Sequence, residues 1–202
     1  MLLDIADSQL VLIDFQLQLK PAIHDGEFVW QRALALAQSA QHLQVPVWGT
    51  EQNPSALGPS SPEIKQRCTR VLSKMHFSAV EEGLGEWLRP PAQAPKGNAR
   101  SLPRHLQKNQ EENAPASIVL AGCETHVCLM QTALNLLEDE FDVWIVTDAC
   151  GSRSERDRDA ALDRLAGAGA ELVTTEMVLC EWLRTAEHPE FKQILSWIKA
   201  LP

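Results

Sequence analysis

The chain has 202 residues, 45% apolar and 22% charged, with a formal net charge of −9. That is the balance of a soluble globular protein long enough for one domain with a good core. The acidic excess weighs against nucleic acid and anionic membrane surfaces as main partners, because both need basic patches. No apolar run approaches the roughly 20 residues that span a bilayer. The opening Met1–Asp7 lacks the basic region of a signal peptide. Five cysteines, at 68, 123, 128, 150 and 180, form neither a C-x-x-C pair nor a disulfide framework. A cytoplasmic location is therefore expected.

Taken in order, Gln9–Gln16 reads as a first buried strand carrying Asp14 near its end. An Asp after Val-Leu-Ile is costly if buried alone. It is either a functional carboxylate or the cap of the next turn. Asp25 can cap a helix over Glu27–Leu43, and Val45–Thr50 is a second strand with Pro46 near its start. A Pro-, Ser- and Gly-rich loop from Glu51 to Pro62 leaves the end of that strand, where open α/β sheets place ligand-binding loops. Arg70–Lys74 is a third strand ending in a lysine, and Ser78–Glu81 is a capping box opening a helix to Leu88. Lys74 is open to two readings, a solvated surface cation or a site group. His76 and Phe77 are either pocket walls or ordinary surface and packing residues.

From about 89 to 116 the composition changes, with five prolines at 90, 91, 95, 103 and 115. This predicts an exposed insertion in a single domain spanning 1–202, with a short helix near Arg104–Glu112. The central stretch follows: Ile118–Gly122 reads as a buried strand, and an apolar-periodic helix begins after Thr125, its expected N-cap. Cys128 falls in the first turn, where free N–H groups and the positive dipole end favour a thiolate. Phe141–Asp148 is a fifth strand, Glu155–Ala168 a charged helix, Ala170–Val173 a sixth strand and Thr175–Leu183 another helix. A last helix opens at His188-Pro189-Glu190, with Pro at its first position.

The regular alternation predicts a three-layer, Rossmann-like α/β fold with a six-stranded parallel sheet flanked by helices. Asp14, Lys74 and Cys128 then share the C-terminal edge of the sheet, the edge that binds ligands. Within reach of one another they make a nucleophile, a base and a cation. Asp14 takes the thiol proton, Lys74 stabilises the charged forms, and Cys128 attacks an amide carbonyl. Backbone N–H groups around Glu124 and Cys128 are the candidate oxyanion donors. Phe15, Trp48, His76 and Phe77 are candidate substrate-binding walls.

The segments Val-Leu-Ile-Asp14-Phe-Gln, Ser-Lys74, Ala-Gly-Cys-Glu-Thr-His-Val-Cys128-Leu and Thr-Asp148-Ala-Cys-Gly-Ser-Arg153-Ser resemble the isochorismatase-like cysteine hydrolases. Thr50–Pro54, Leu57–Pro59 and His188–Lys192 resemble the subgroup of isochorismatase domain-containing proteins. The resemblance implies the Asp14–Lys74–Cys128 triad and a non-proline cis peptide before Glu124 aiming backbone N–H groups at the oxyanion. Nicotinamidases of this family hold a metal through an Asp and two His after the second strand. Thr50-Glu51-Gln52-Asn53-Pro54 has no His there, so no metal and no cofactor are expected. True isochorismatases cleave a vinyl ether and lack the nucleophilic Cys, so Cys128 favours C–N hydrolysis of a small-molecule substrate. Self-association into a homo-oligomer is expected from the family and from the commonness of symmetric assemblies.

Other readings stand beside this one. A Cys128–His126 dyad is disfavoured, because residues two apart on a helix face different ways. Asp148 and Arg153 are read as a structural pair beside the site. A scaffold that keeps the fold with a vestigial triad is the non-enzyme alternative.

Overall fold

A computed structural model describes residues 2–89 and 116–201. The Pro-rich insertion, with its expected helix near 104–112, lies outside the described residues. Six parallel strands form one sheet: β1 (Ser8–Ile13), β2 (Val47–Gln52), β3 (Arg70–Lys74), β4 (Ser117–Cys123), β5 (Asp142–Gly151) and β6 (Glu171–Val173), in the spatial order 3-2-1-4-5-6. The Rossmann-like, three-layer expectation is met. The chain builds outward from β1 through β2 to β3, then returns to the other side of β1 with β4. The switch point is therefore the crevice between the tips of β1 and β4.

Side-chain alternation sorts the core into two layers. Leu10 and Leu12 of β1, with Val119, Ala121 and Cys123 of β4, meet α1 (Gly26–His42), α7 (Thr175–Leu183) and α8 (Phe191–Lys199). Val11, Ile13, Ile118 and Leu120 face the opposite layer, built on α4 (Leu84–Leu88), α5 (Met130–Glu138) and α6 (Glu155–Gly167). Both faces of the central strands are thus covered, which is why they read as continuous apolar runs rather than alternating ones.

Several boundaries differ from expectation for identifiable reasons. Strand β1 stops at Ile13 because Asp14 adopts a left-handed backbone, φ 53°. Strand β2 runs on through Glu51 and Gln52, so the loop begins two residues later and carries two short helices, α2 (Pro54–Leu57) and α3 (Pro62–Lys65). The capping-box helix is broken at Gly83, φ 90°, into a 3-10 turn over Val80–Glu82 and α4. The last helix begins after Pro189, since Phe191 N–H closes a turn onto the His188 carbonyl.

Glu51 is buried, and its Oε1 accepts from Ser60 N–H (2.8 Å) and Lys65 Nζ (2.9 Å). Burial pushes its carboxyl up, but Lys65 and the Ser60 N–H outweigh that and hold it below its usual 4.5. A carboxyl whose folded value is depressed stabilises the fold fully above the unfolded value and loses that contribution as pH falls through the folded one. Glu51→Gln is therefore expected to cost stability at neutral pH, by a gap that narrows as urea midpoints are followed into acid. A gap constant with pH overturns this account.

Candidate active site

Four strand tips meet around one buried cluster. At the tip of β1, Asp14 Oδ1 accepts the Thr50 hydroxyl at 2.6 Å, and Asp14 N–H donates back to Thr50 Oγ1 at 3.2 Å. An L-residue in the left-handed region costs about 1–2 kcal/mol, least for Asp and Asn, so the turn that points this carboxylate inward is held against a preference. Close approach makes the turn possible. Gly122 on β4 sits opposite Ile13, where an added Cβ would lie 2.5 Å from Ile13 Cβ and 2.7 Å from its carbonyl oxygen.

From the tip of β3, Lys74 reaches the same point. Its side chain is 0% exposed and that of Asp14 1%, with Nζ 2.9 Å from Asp14 Oδ2. A buried charge without a partner is heavily penalised, so each of these two makes the other tolerable. Nζ also donates to Gln52 Oε1 at 2.6 Å and the Phe77 carbonyl at 3.1 Å. The solvated-surface reading of Lys74 is excluded, as is the capping reading of Asp14. Asp14 Oδ2 receives no well-aligned hydrogen bond although it is buried, so it retains capacity to take a proton.

Cys128 enters from the segment after β4. That segment is a π turn over Thr125–Leu129 leading into α5. Thr125 is not its cap: Glu124 holds that position, and the buried Thr125 hydroxyl has no hydrogen-bond partner. Peptide bonds among the described residues are all trans, so the expected cis bond before Glu124 is absent. Glu124 turns the chain through its own φ of −28° and ψ of 104° instead. The Cys128 thiol lies 3.8 Å from Gln52 Oε1. Its carbonyl accepts from Thr132 Oγ1 (2.8 Å), which in turn accepts from Ala79 N–H (3.0 Å).

The thiolate expectation is corrected. Burial first, then the Asp14 carboxylate, push the Cys128 thiol up to about 12, against the opposing pull of Lys74. Helix-start electrostatics fade within one turn, whereas removal from water acts on the whole thiolate charge. The thiolate is thus disfavoured at the very position where the helix start was expected to favour it.

The remaining sequence candidates fall in different places. His76 and Phe77 are at the lip, exposed, with the Phe77 carbonyl on Lys74. Glu82 tethers this lip, accepting from Met75 N–H (3.0 Å), His76 N–H (3.2 Å) and His76 Nδ1 (2.8 Å). The Met75 and His76 hydrogen bonds pull its carboxyl down to about 2. Phe15 and Trp48 are not brought to the triad. Phe15 points into the opposite layer, edge-on to Trp30 at 4.9 Å. Trp48 lies four residues before the β2 tip and donates its indole N–H to Gln9 Oε1 at 2.9 Å. Arg153 pairs with Glu124 (2.7 Å) rather than with Asp148, which instead accepts from Thr175 N–H and Oγ1 at 2.8 and 2.9 Å. A register shift in β5 between Leu120 and Gly122 of its neighbour carries Asp148 off the expected line.

Gln16, Thr50 and Gln52 are site residues that sequence reasoning missed. Gln16 braces the β2 tip, exchanging bonds with Gln52 N–H (2.8 Å) and carbonyl (3.0 Å). The available signal was register: Gln52 lies directly beside Lys74 in the ladder. Among the described residues no three His, Cys, Asp or Glu side chains converge as a metal centre requires, and no helix is long and apolar enough to cross a membrane.

A parallel 3-2-1-4-5-6 sheet with Asp14, Lys74 and Cys128 gathered at its switch point marks a class, the Rossmann-like, doubly wound α/β proteins. Comparison with known proteins narrows it. The isochorismatase domain family model matches residues 100–177. Isochorismatase domain-containing protein 2 of Xenopus laevis is 37% identical over 187 residues, 93% of this chain and 81% of that protein. The structure of MAR1 ribonuclease from Caenorhabditis elegans superposes with a TM-score of 0.84 at 26% identity, covering 100% of this chain and 95% of that one. The YcaC gene product of Escherichia coli, described as an octameric hydrolase of unknown specificity, superposes at 0.76 with 24% identity, over 100% and 98% of the two chains. The chain belongs to the isochorismatase domain family.

Proposed function

We propose that this protein is a cysteine-dependent hydrolase of small molecules that cleaves an amide-type C–N bond through a thioester. The observation that carries the reading is the fully buried Asp14–Lys74 pair, 2.9 Å apart, acting on the Cys128 thiol. In a polypeptide of this acidity, a buried ammonium and carboxylate serve packing poorly, since an apolar pair fills the same space without desolvating two charges.

The thiol proton passes to Asp14 Oδ2 as sulfur attacks the carbonyl carbon, so little free thiolate accumulates. Lys74 balances the charge that moves from acid to sulfur to oxyanion. Backbone N–H groups at the Glu124–Cys128 turn receive the oxyanion. Asp14 then returns its proton to the departing amine or ammonia, and water releases the acid from the thioester. His76 and Phe77 form the outer wall of the substrate pocket. The net charge of −9 disfavours an RNA backbone as substrate. A cytoplasmic homo-oligomer is the working form, in keeping with the octamer described for the E. coli protein.

A screen of small amides, ureido acids and hydroxamates tests the reading. Turnover is expected with at least one class, together with an acyl adduct on Cys128 in the mass of the intact protein. Cys128→Ala is expected to show neither. Turnover that survives Cys128→Ala overturns it, and the absence of both turnover and a Cys128 adduct with all three classes overturns it in favour of a scaffold.

A further inference from the structure

We propose that Gln52 is a positioning residue that keeps the proton on Cys128 by holding the Lys74 ammonium on oxygen. The inference deepens the reading above and rests on Cys128 as the reacting group. An ammonium has three N–H bonds. The nearest acceptors of Lys74 Nζ are Gln52 Oε1 at 2.6 Å, Asp14 Oδ2 at 2.9 Å and the Phe77 carbonyl at 3.1 Å. The His76 carbonyl lies 3.5 Å away as well, so oxygens crowd the ammonium, and the shortest of these contacts, the one that competes most directly with sulfur for an N–H, is Gln52 Oε1.

Of these acceptors, Asp14 carries the balancing charge and the Phe77 oxygen is backbone. Gln52 alone is a neutral side chain that can yield. The same Oε1 is the acceptor 3.8 Å from the Cys128 thiol. An acceptor for S–H favours the neutral thiol, and an acceptor for Lys74 withholds an N–H from the thiolate, so both contacts work in one direction. The amide is fixed from behind by its own Nε2, which donates to the Met75 carbonyl at 2.8 Å, and by Gln16 on its backbone. When the S–H bond breaks and Asp14 Oδ2 gains the proton, one Lys74 N–H passes from Oε1 to sulfur.

The titratable groups acting on the thiol are Asp14 from β1 and Lys74 from β3, while Cys123 at the end of β4 packs in the opposite layer. Helix α6 packs on the same segment, but its Arg164 is on Met130 Sδ (3.9 Å) and its Arg158 on Asp159 (2.9 Å).

The test compares Cys128 alkylation by iodoacetamide across pH in wild type, Gln52→Leu and Gln52→Glu, with Cys128→Ala counterparts to subtract the other thiols. Gln52→Leu frees a Lys74 donor, and a one-unit downward shift of the profile is expected. At neutral pH this reads as roughly three- to fourfold faster alkylation, tenfold more thiolate less its lower nucleophilicity. Gln52→Glu adds a carboxylate beside the sulfur and is expected to shift the profile upward. Gln52→Met replaces the Leu variant if that one fails to fold. Opposite shifts support the proposal, because loosening of the structure alone moves both variants the same way. Shifts of one sign, or none, overturn it. Opposite shifts in a protein that hydrolyses no amide leave this inference standing and remove the hydrolase; turnover without the shifts does the reverse.

Discussion

Lys74→Met is expected to lower stability by about 3–5 kcal/mol, the cost of leaving a buried charge without its partner. The methionine fills much the same volume, so packing contributes little. The loss comes from Asp14, whose carboxylate is 1% exposed and keeps only the Thr50 hydroxyl and whatever proton it can recruit. Urea unfolding at neutral pH measures it. The double variant Asp14→Asn, Lys74→Met should recover most of that stability, because neither charge remains, while recovering none of the reaction with amides or of the Cys128 alkylation profile. A single variant losing less than about 1 kcal/mol, within the range of an exposed ion pair, contradicts the burial argument.

Gly122→Ala is expected to be nearly as damaging through a different cause. The new Cβ would stand 2.5 Å from Ile13 Cβ and 2.7 Å from the Ile13 carbonyl oxygen. Neither is the free end of a flexible side chain, and β1 cannot retreat because β2 pairs on its other edge and both faces are packed. Overpacking of this kind costs about 1–3 kcal/mol or more. The displaced residue directly precedes Asp14, so the thermal midpoint should fall and Cys128 alkylation should change with it. Shortening Ile13 should not rescue the variant, since one of the two obstructing atoms is backbone. A stable Gly122→Ala protein with an unchanged thiol profile contradicts this account.

The sheet was legible because β1, β4 and the first half of β5 are apolar on both faces, a pattern little else produces. The three proposed site groups stood out because each falls at or just beyond a strand end, Asp14 and Cys128 after apolar runs and Lys74 at the end of the shorter, partly exposed β3. What sequence could not supply was compensation from elsewhere. Glu51 and Gln52 are polar and looked like loop, yet Glu51 is satisfied by Ser60 and Lys65 and Gln52 by Gln16 and Lys74, partners that only the folded chain brings near. Ending β2 at Thr50 hid Gln52 from the site. Phe15 looked like a pocket wall because it follows Asp14, but the turn at Asp14 sends the two side chains into different surroundings. The thiol of Cys128 was judged by its helix start, a local feature, whereas its ionisation is dominated by burial and by an aspartate 114 positions earlier in the chain. Arg153 found Glu124 rather than Asp148 because the irregular register of β5 could not be read from hydrophobicity.

The strand order has a consequence for synthesis. The half-sheet β3-β2-β1 is complete once residue 74 has left the ribosome, and it already contains Asp14, Gln52 and Lys74. Until β4 is translated and pairs with it, β1 presents a bare edge of apolar backbone, the kind of template on which nascent chains stick to one another. Docking of β4 seals that edge and brings Cys128 in just behind it, so an unfinished polypeptide holds Asp14 and Lys74 without the sulfur they would serve.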